Sequence, residues 1–172
     1  GMGVAPTKIN NIIGIFKPYC TRVGSGPFPT ELNDDIGQKM RDIGHEYGAT
    51  TGRERRCGWI DLPALKYAIM INGVTELCMM KADVLDSFEE IKVCTHYKIN
   101  GEEFDYFPFE IGKDTIPVYK SLKGWNTDIT NIIDQNNLPK ELLDYIHFLE
   151  AELEVPIKIV SVGPNRSATI KR

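Results

Sequence analysis

The sequence predicts a mixed α/β fold in which helices flank a sheet. Apolar residues recur at helical spacing in several segments, short apolar runs between turn residues are typical of buried strands, and strand-like segments flank an Asn-Gly pair. The chain has 172 residues, of which 42% are hydrophobic and 26% charged. This is the balance of an ordinary globular protein. We therefore expect residues 1–172 to form a single unit.

Three helices are predicted in the first half of the chain. Apolar residues at helical spacing in Ile9–Pro18 indicate a first helix that the proline ends. Those in Leu32–His45 recur at intervals of four, four and three residues and indicate a second. The segment Asp61–Gly73 has an aspartate that can cap a third helix and a proline in its first turn.

Strand signals dominate the segments that follow. Thr75–Met80 is short and apolar and is typical of a buried strand. The segments Glu90–Ile99 and Glu102–Phe107 flank Asn-Gly, the strongest short hairpin signal. Asp114–Gln135 has few periodic cues and is expected to be irregular.

The C-terminal segments indicate one helix and one strand. Apolar residues at helical spacing in Leu142–Leu153 predict a long helix behind Asn-Leu-Pro. Pro156–Val162 indicates a buried strand, which a loop over Gly163–Arg166 follows.

The segment Gly48–Trp59 combines glycines, paired threonines and arginines, and suits neither a helix nor a strand. We expect a mobile loop that can close on an anion. Arg53, Arg55 and Arg56 offer planar charged donors that match carboxylate or phosphate oxygens two at a time. The alternative is a solvated basic loop.

A second cluster follows the predicted strand Thr75–Met80, where open α/β sheets place ligands. The Asp83 carboxylate can accept hydrogen bonds from N1 and N2 of guanine, while the Lys81 stem covers the base and its ammonium supports the carboxylate. An amide of Ser161–Pro164, after another predicted strand, can bind the guanine O6 atom. The alternative is a surface ion pair between Lys81 and Asp83.

Composition and spacing exclude several other classes. The net charge of −4 argues against a general nucleic-acid-binding protein. The four cysteines are widely spaced, so we expect reduced thiols and no zinc or other metal site. No histidine has a nucleophile beside it, and no Gly-x-x-x-x-Gly-Lys phosphate loop occurs. No apolar run approaches the length of a membrane span and no signal peptide is evident, so we expect a cytoplasmic protein.

Taken together, four blocks closely resemble the adenylosuccinate synthetase family. They run in the family's order with similar spacing, and they are long enough to be highly specific. The blocks are Thr21–Glu31 (TRVGSGPFPTE), Gly48–Trp59 (GATTGRERRCGW), Lys81–Leu85 (KADVL) and Ser161–Pro164 (SVGP).

The resemblance implies a GTP-dependent ligase that joins IMP and L-aspartate with the help of Mg²⁺. The family phosphorylates the 6-oxygen of IMP, and the aspartate amine then displaces the phosphate. By the resemblance, the IMP-binding residues are Val23 and Arg53, and the aspartate-binding residues are Ala49, Thr50, Thr51, Gly52, Arg53 and Arg55. The GTP-binding residues are Arg55, Lys81, Ala82, Asp83, Ser161, Val162, Gly163 and Pro164. Arg55 also corresponds to a catalytic position, where it offsets charge that develops during phosphoryl transfer.

The blocks belong to the C-terminal part of the family fold. The family's phosphate loop, its Mg²⁺-binding aspartate and its catalytic histidine all precede them, so this chain is expected to be inactive alone and to contain no metal ligand. Homodimerisation is a family property of the full-length enzyme. A stand-alone purine-nucleotide-binding or regulatory module without turnover is the alternative reading.

Overall fold

Residues 3–172, which the computed structural model describes, form nine strands and three α-helices. The strands are β1 Ile13–Phe16, β2 Tyr19–Arg22, β3 Arg56–Asp61, β4 Glu76–Met79, β5 Glu90–Ile99, β6 Glu102–Phe104, β7 Ile116–Lys123, β8 Ile157–Ser161 and β9 Thr169–Lys171. The helices are α1 Asp35–Ile43, α2 Leu62–Asn72 and α3 Lys140–Leu153. Single 3₁₀ turns lie at Pro6–Lys8, Ala82–Leu85 and Gln135–Asn137. The α/β prediction is confirmed.

The strands form two sheets. One has the order β1-β4-β8-β9, with the first three strands parallel and β9 antiparallel. The other has the order β2-β3-β5-β6, and β7 also pairs with β5. Met79 of β4 lies opposite Val160 of β8, so the carboxyl ends of these two strands lie side by side. The segments that follow them are therefore neighbours.

One buried apolar cluster extends through both sheets and the three helices. Met40 of α1, Leu62 of α2 and Leu142 of α3 are fully buried in it, together with Leu77 of β4 and Ile91 of β5. Within residues 3–172, no helix is long and apolar enough to cross a membrane.

Local signals placed most helix and turn boundaries correctly. Asp61 caps α2, as predicted, whereas α1 begins after Asp34 and not at Leu32; Asp34 accepts a hydrogen bond from the Gly37 amide at 3.0 Å. The Asn100–Gly101 pair adopts positive φ values of 52° and 89° and connects β5 to β6. The predicted strands at Thr75–Met80 and Pro156–Val162 are also present as β4 and β8.

The predicted helix at Ile9–Pro18 is wrong, because the structure has strand β1 there. The four isoleucines and Gly14 of this segment favour an extended chain over a helix, and β1 gains a parallel partner in β4. Similarly, the segment predicted as irregular contains β7, which pairs with β5 over eight positions. Its alternation is hidden by Pro117 and by polar residues that face solvent. Strands β2 and β9 were not predicted, and β3 begins at Arg56, inside the segment Gly48–Trp59 that was predicted to be a loop.

Candidate functional site

A buried carboxylate connects the predicted guanine and aspartate segments. The Glu46 side chain has no exposed surface. Its Oε1 atom accepts hydrogen bonds from Lys17 Nζ at 2.9 Å, Tyr19 OH at 2.7 Å and Lys81 Nζ at 2.9 Å. Its Oε2 atom accepts one from Arg55 Nη1 at 2.6 Å. Two predicted ligand-binding residues, Arg55 and Lys81, therefore share one anion.

This carboxylate is ionised in the folded protein. Burial by itself raises the pKa of Glu46, but the hydrogen bonds from Lys17, Tyr19, Lys81 and Arg55 outweigh it and lower the pKa to about 2. Three cations surround one anion (3 − 1 = 2), so the group keeps two positive charges in excess. Such an excess suits an anionic ligand.

The backbone brings Glu46 to this position at the end of α1. His45 adopts a positive φ of 48°, and the Glu46 amide donates a hydrogen bond to the Arg41 carbonyl at 2.9 Å. The Glu46 carbonyl in turn accepts from the Arg55 amide at 2.9 Å. The chain therefore folds back on itself, and the side chains of Glu46 and Arg55 meet although nine residues separate them.

The arginine loop spans residues 48–55 and turns at Gly52. The Gly48 amide donates to the Arg53 carbonyl, and the Gly52 amide donates to the Gly48 carbonyl, both at 2.8 Å. Gly52 has a φ of 63°, a conformation that glycine adopts without strain. Thr50, Thr51 and Arg53 are exposed at the tip. The Arg53 guanidinium has no hydrogen-bond or ion-pair partner within residues 3–172, so it is free to bind a ligand.

Arg56 has a different role from the one predicted. It belongs to strand β3, and its guanidinium binds both oxygens of Glu31, at 2.6 Å and 2.5 Å. Its remaining nitrogen donates to the carbonyls of Gly24 and Gly26, at 3.0 Å and 2.8 Å. Its hydrogen bond to Glu31 lowers the pKa of that carboxyl. Arg56 therefore binds a carboxylate two oxygens at a time, as its donors allow, but this carboxylate belongs to the fold and is not a ligand in a mobile loop.

Val23 lies at the same edge as the arginine loop. In the pairing of β2 with β3, Arg22 lies opposite Arg56, so Val23 leaves the sheet where Arg55 enters it. The Val23 side chain is 67% exposed. The structure thus brings the predicted IMP-binding valine and the predicted aspartate-binding loop together.

The guanine segment follows β4, as predicted, but the direct contacts of the Lys81 ammonium are not with Asp83. The Lys81 ammonium binds the Gly44 carbonyl at 2.6 Å and Glu46 at 2.9 Å. Lys81 and Asp83 form no ion pair, and the support that the ammonium gives to the carboxylate is limited to the effect of its charge, which lowers the pKa of Asp83. Ala82 is fully buried and anchors the segment.

Asp83 has unused hydrogen-bonding capacity. Within residues 3–172, its Oδ1 atom is buried and has no hydrogen-bond partner. Burial raises the pKa of this carboxyl, against the smaller effects of its own backbone amide and of Lys81. An ionised carboxylate with a buried, unpaired oxygen is costly unless a donor arrives. This is the state expected of a group that binds ligand donors.

The segment Ser161–Pro164 lies beside Asp83, because β8 and β4 are parallel neighbours. The Ser161 hydroxyl donates to the Gly163 carbonyl at 3.0 Å, and the Val162 amide donates to the Ala168 carbonyl at 2.9 Å. These bonds fix the turn that carries Gly163. Pro164 is exposed at its tip.

Sequence reasoning missed two carboxylates here, Glu46 and Asp86. Asp86 accepts hydrogen bonds from Trp125 Nε1 at 2.7 Å and the Ile129 amide at 3.0 Å. Burial, partly offset by these bonds, raises its pKa to about 6. Asp86 thereby holds the segment before Thr130, whose Cβ lies 4.0 Å from the position that a Cβ on Gly163 would occupy. Its spacing of three residues from Asp83 is the only local signal.

The histidines and cysteines form no further site. His96 Nδ1 lies 2.9 Å from the Thr95 hydroxyl, and the four cysteines are free thiols. Within the described part of the chain, no group of three or more His, Cys, Asp or Glu residues can hold a metal ion.

Comparisons with known proteins agree on one family. The family model for adenylosuccinate synthetase matches residues 1–170. The adenylosuccinate synthetases of Phocaeicola vulgatus and Bacteroides thetaiotaomicron are 63% and 60% identical to this chain over 172 residues, the whole of it. The chain spans 41% of the length of each of these relatives.

A solved structure has the same fold. The fully ligated adenylosuccinate synthetase from Plasmodium falciparum matches with a TM-score of 0.94 and 43% identity, over 100% of this chain and 42% of that one. The family model covers nearly the whole chain, and the relatives match it from end to end. This chain therefore belongs to the adenylosuccinate synthetase family.

Proposed function

We propose that this chain is the substrate-reading part of a GTP-dependent ligase that joins IMP and L-aspartate to form adenylosuccinate. The 172 residues act in it as one unit. The observation that carries the proposal is the placement of Asp83, whose Oδ1 atom has no donor within residues 3–172. Asp83 lies beside Ser161–Pro164 and two positions from Lys81, which Glu46 connects to Arg55.

Asp83 and Ser161–Pro164 select guanine. The carboxylate of Asp83 accepts from N1 and N2 of the base, and the Gly163 region donates to O6. Adenine lacks the N2 donor and carries an acceptor at N1, so it leaves the Asp83 carboxylate buried and unpaired. A site built to hydrogen-bond one partner rejects such an analogue strongly. Lys81, Ala82 and Val162 hold this arrangement in place.

The arginine loop reads the other two substrates. Arg53, exposed at its tip, binds the carboxylates of aspartate and contacts IMP, while Ala49, Thr50, Thr51 and Gly52 supply backbone and hydroxyl donors. Val23 packs against IMP from the neighbouring edge. Arg55 has one nitrogen on Glu46 and directs the rest of its guanidinium to the charge that develops when the γ-phosphate of GTP moves to IMP.

The metal is not held by the residues described here. The family's reaction uses Mg²⁺, and GTP carries the phosphates that a hard cation requires. Residues 3–172 contain no cluster suited to a metal ion, so no step of the proposal passes through one. The ligands of the metal and the general base belong to the N-terminal part of the family's enzymes. A cytoplasmic location and a homodimer complete the proposal.

A stand-alone nucleotide-binding module is not favoured. The relatives that match this chain from end to end are named as synthetases, and residues for three substrates rather than one occur in a single unit.

The test is the activity of a chimaeric enzyme. A full-length enzyme is made by replacing the corresponding segment of the Phocaeicola vulgatus relative with this chain, and adenylosuccinate formation from IMP, aspartate, GTP and Mg²⁺ is measured. We expect GTP-dependent turnover by the chimaera and none by the 172 residues alone. A folded chimaera without turnover would refute the proposed function.

A further inference from the structure

The connection through Glu46 has a consequence for both subsites. One carboxylate oxygen binds Lys81, which lies two positions before the guanine-binding Asp83. The other binds Arg55, the last residue of the aspartate-binding loop. Lys81 and Arg55 are 40% and 34% exposed, so both side chains also reach solvent. Glu46 itself is inaccessible and touches no substrate.

We propose that Glu46 is a positioning residue that couples the guanine subsite to the aspartate subsite. This inference rests on the proposed function, because it concerns how the two subsites of that enzyme affect each other. The carboxylate sets the positions of both Lys81 and Arg55. A shift of one of these side chains therefore moves the carboxylate and changes the position of the other side chain.

The charges make this coupling strong. Three cations converge on Glu46, and they repel one another in a partly buried region where screening is weak. Their shared anion is what keeps them within hydrogen-bonding distance. If Lys81 is removed, Glu46 retains Lys17 and Arg55 and can move toward them. Arg55 then loses the fixed orientation that its free nitrogens need.

The fourth donor ties one oxygen of Glu46 to the core, so the carboxylate can turn about this oxygen but cannot leave the cluster. Tyr19 is 2% exposed and its hydroxyl binds the same oxygen as Lys17 and Lys81. Burial, and then the bond to Glu46, raise the pKa of Tyr19, so it remains a neutral donor. Tyr19 thereby holds the carboxylate from the core side, and the hydrogen bonds of the carboxylate to Lys81 and Arg55 face the two subsites.

The experiment uses the full-length chimaera and compares Lys81→Met with wild type. The KM for aspartate is measured at saturating GTP, so that weaker GTP binding does not enter it. We expect the KM for GTP to rise and the KM for aspartate to rise at least about fivefold, the lower range of coupling between sites. An unchanged KM for aspartate would overturn the inference.

Glu46→Gln and the double variant complete a double-mutant cycle with Lys81→Met. We expect Glu46→Gln to raise both KM values, and in its background Lys81→Met should no longer change the KM for aspartate. If Glu46→Gln does not fold, the cross-effect of Lys81→Met decides alone.

Glu150→Gln is the control for a purely structural carboxylate. Glu150 binds Arg172 and the Ile157 amide, at the opposite end of β8 from Ser161. The Glu150→Gln variant should have a lower melting temperature than wild type and unchanged KM values for GTP and aspartate. Turnover by wild type without a cross-effect refutes this inference alone, whereas no turnover by wild type refutes the proposed function.

Discussion

Replacing Asp83 with asparagine tests the guanine assignment most directly. The substitution keeps the size of the side chain and exchanges one acceptor for a donor. In the proposed complex, the carboxylate accepts two hydrogen bonds from the base, from N1 and N2. Asparagine can accept only one of them, and its amide opposes the donor that remains.

The magnitude follows from the character of the bond that is lost. A hydrogen bond to a charged group contributes about 1.5–3 kcal/mol. The Asp83 oxygen is buried and has no other partner within residues 3–172, so the upper half of this range applies. A loss of about 2–3 kcal/mol corresponds to a fall of about 30- to 150-fold in kcat/KM for GTP.

The assay compares GTP with ITP, which lacks the N2 amino group. Wild type should prefer GTP, because only GTP uses both acceptor positions. Asp83→Asn should lose most of this preference, since one of the two acceptors is gone. An unchanged kcat/KM for GTP, or an unchanged ratio between the two nucleotides, would show that Asp83 does not read guanine.

A pair of alanine variants separates ligand binding from folding. Asp83→Ala leaves no protein donor unpaired and relieves a buried charge, so the melting temperature should not fall. Asp86→Ala removes the acceptor of Trp125 Nε1 and of the Ile129 amide. It should lower the free energy of unfolding by about 1–3 kcal/mol, the cost of buried donors without partners. A clear loss of stability in Asp83→Ala would indicate a structural role for this residue.

Three further predictions follow from other contacts. Arg53→Leu should leave the melting temperature unchanged and raise the KM for aspartate. Arg55→Leu should raise this KM and also lower the free energy of unfolding by about 1–2 kcal/mol, because it removes a partly exposed guanidinium from the buried Glu46 carboxylate; equal melting temperatures of the two variants would contradict this. Gly58→Ala should lower the free energy of unfolding by about 1–3 kcal/mol, since the added Cβ would lie 2.2 Å from the Thr30 carbonyl oxygen. An unchanged midpoint of urea unfolding would contradict this prediction. The pKa of Glu46 falls from 4.5 to about 2 on folding, so its stabilisation is complete above the higher value and is lost as the pH falls toward the lower one. In urea titrations across this pH interval, the free energy of unfolding of Glu46→Gln should therefore fall less with decreasing pH than that of wild type. An identical dependence on pH in the two proteins would refute the ion-pair assignment.

Features that depend on neighbouring residues could be predicted from the sequence. The capping aspartate Asp61, the Asn100–Gly101 turn and the strand before Lys81 all depend on chemistry within a few residues. The edge of the sheet at which the guanine segment lies followed from the strand order rule. Family blocks supplied the candidate ligand residues.

Features that depend on partners distant in the chain could not be predicted from the sequence. The segment Ile13–Phe16 has apolar residues at helical spacing, and only its pairing with β4, about sixty residues later, makes it a strand. The partners of Arg56 lie between 25 and 32 residues away along the chain. Lys81 binds Glu46 over a separation of 35 residues, so a reading from spacing alone assigned it to Asp83, two positions away.

The arginine cluster shows why residue type alone does not determine role. Arg53, Arg55 and Arg56 lie within four positions, yet Arg53 is exposed at a loop tip, Arg55 shares a buried anion, and Arg56 makes four hydrogen bonds within the fold. The difference lies in the acceptors that tertiary structure supplies: Glu46 takes one nitrogen of Arg55, and Glu31 with two carbonyls takes the donors of Arg56. A guanidinium binds a ligand with the donors that the protein leaves unused. Sensitivity of substrate binding to mutation should therefore fall from Arg53 to Arg56 while sensitivity of folding rises, with Arg55 affecting both.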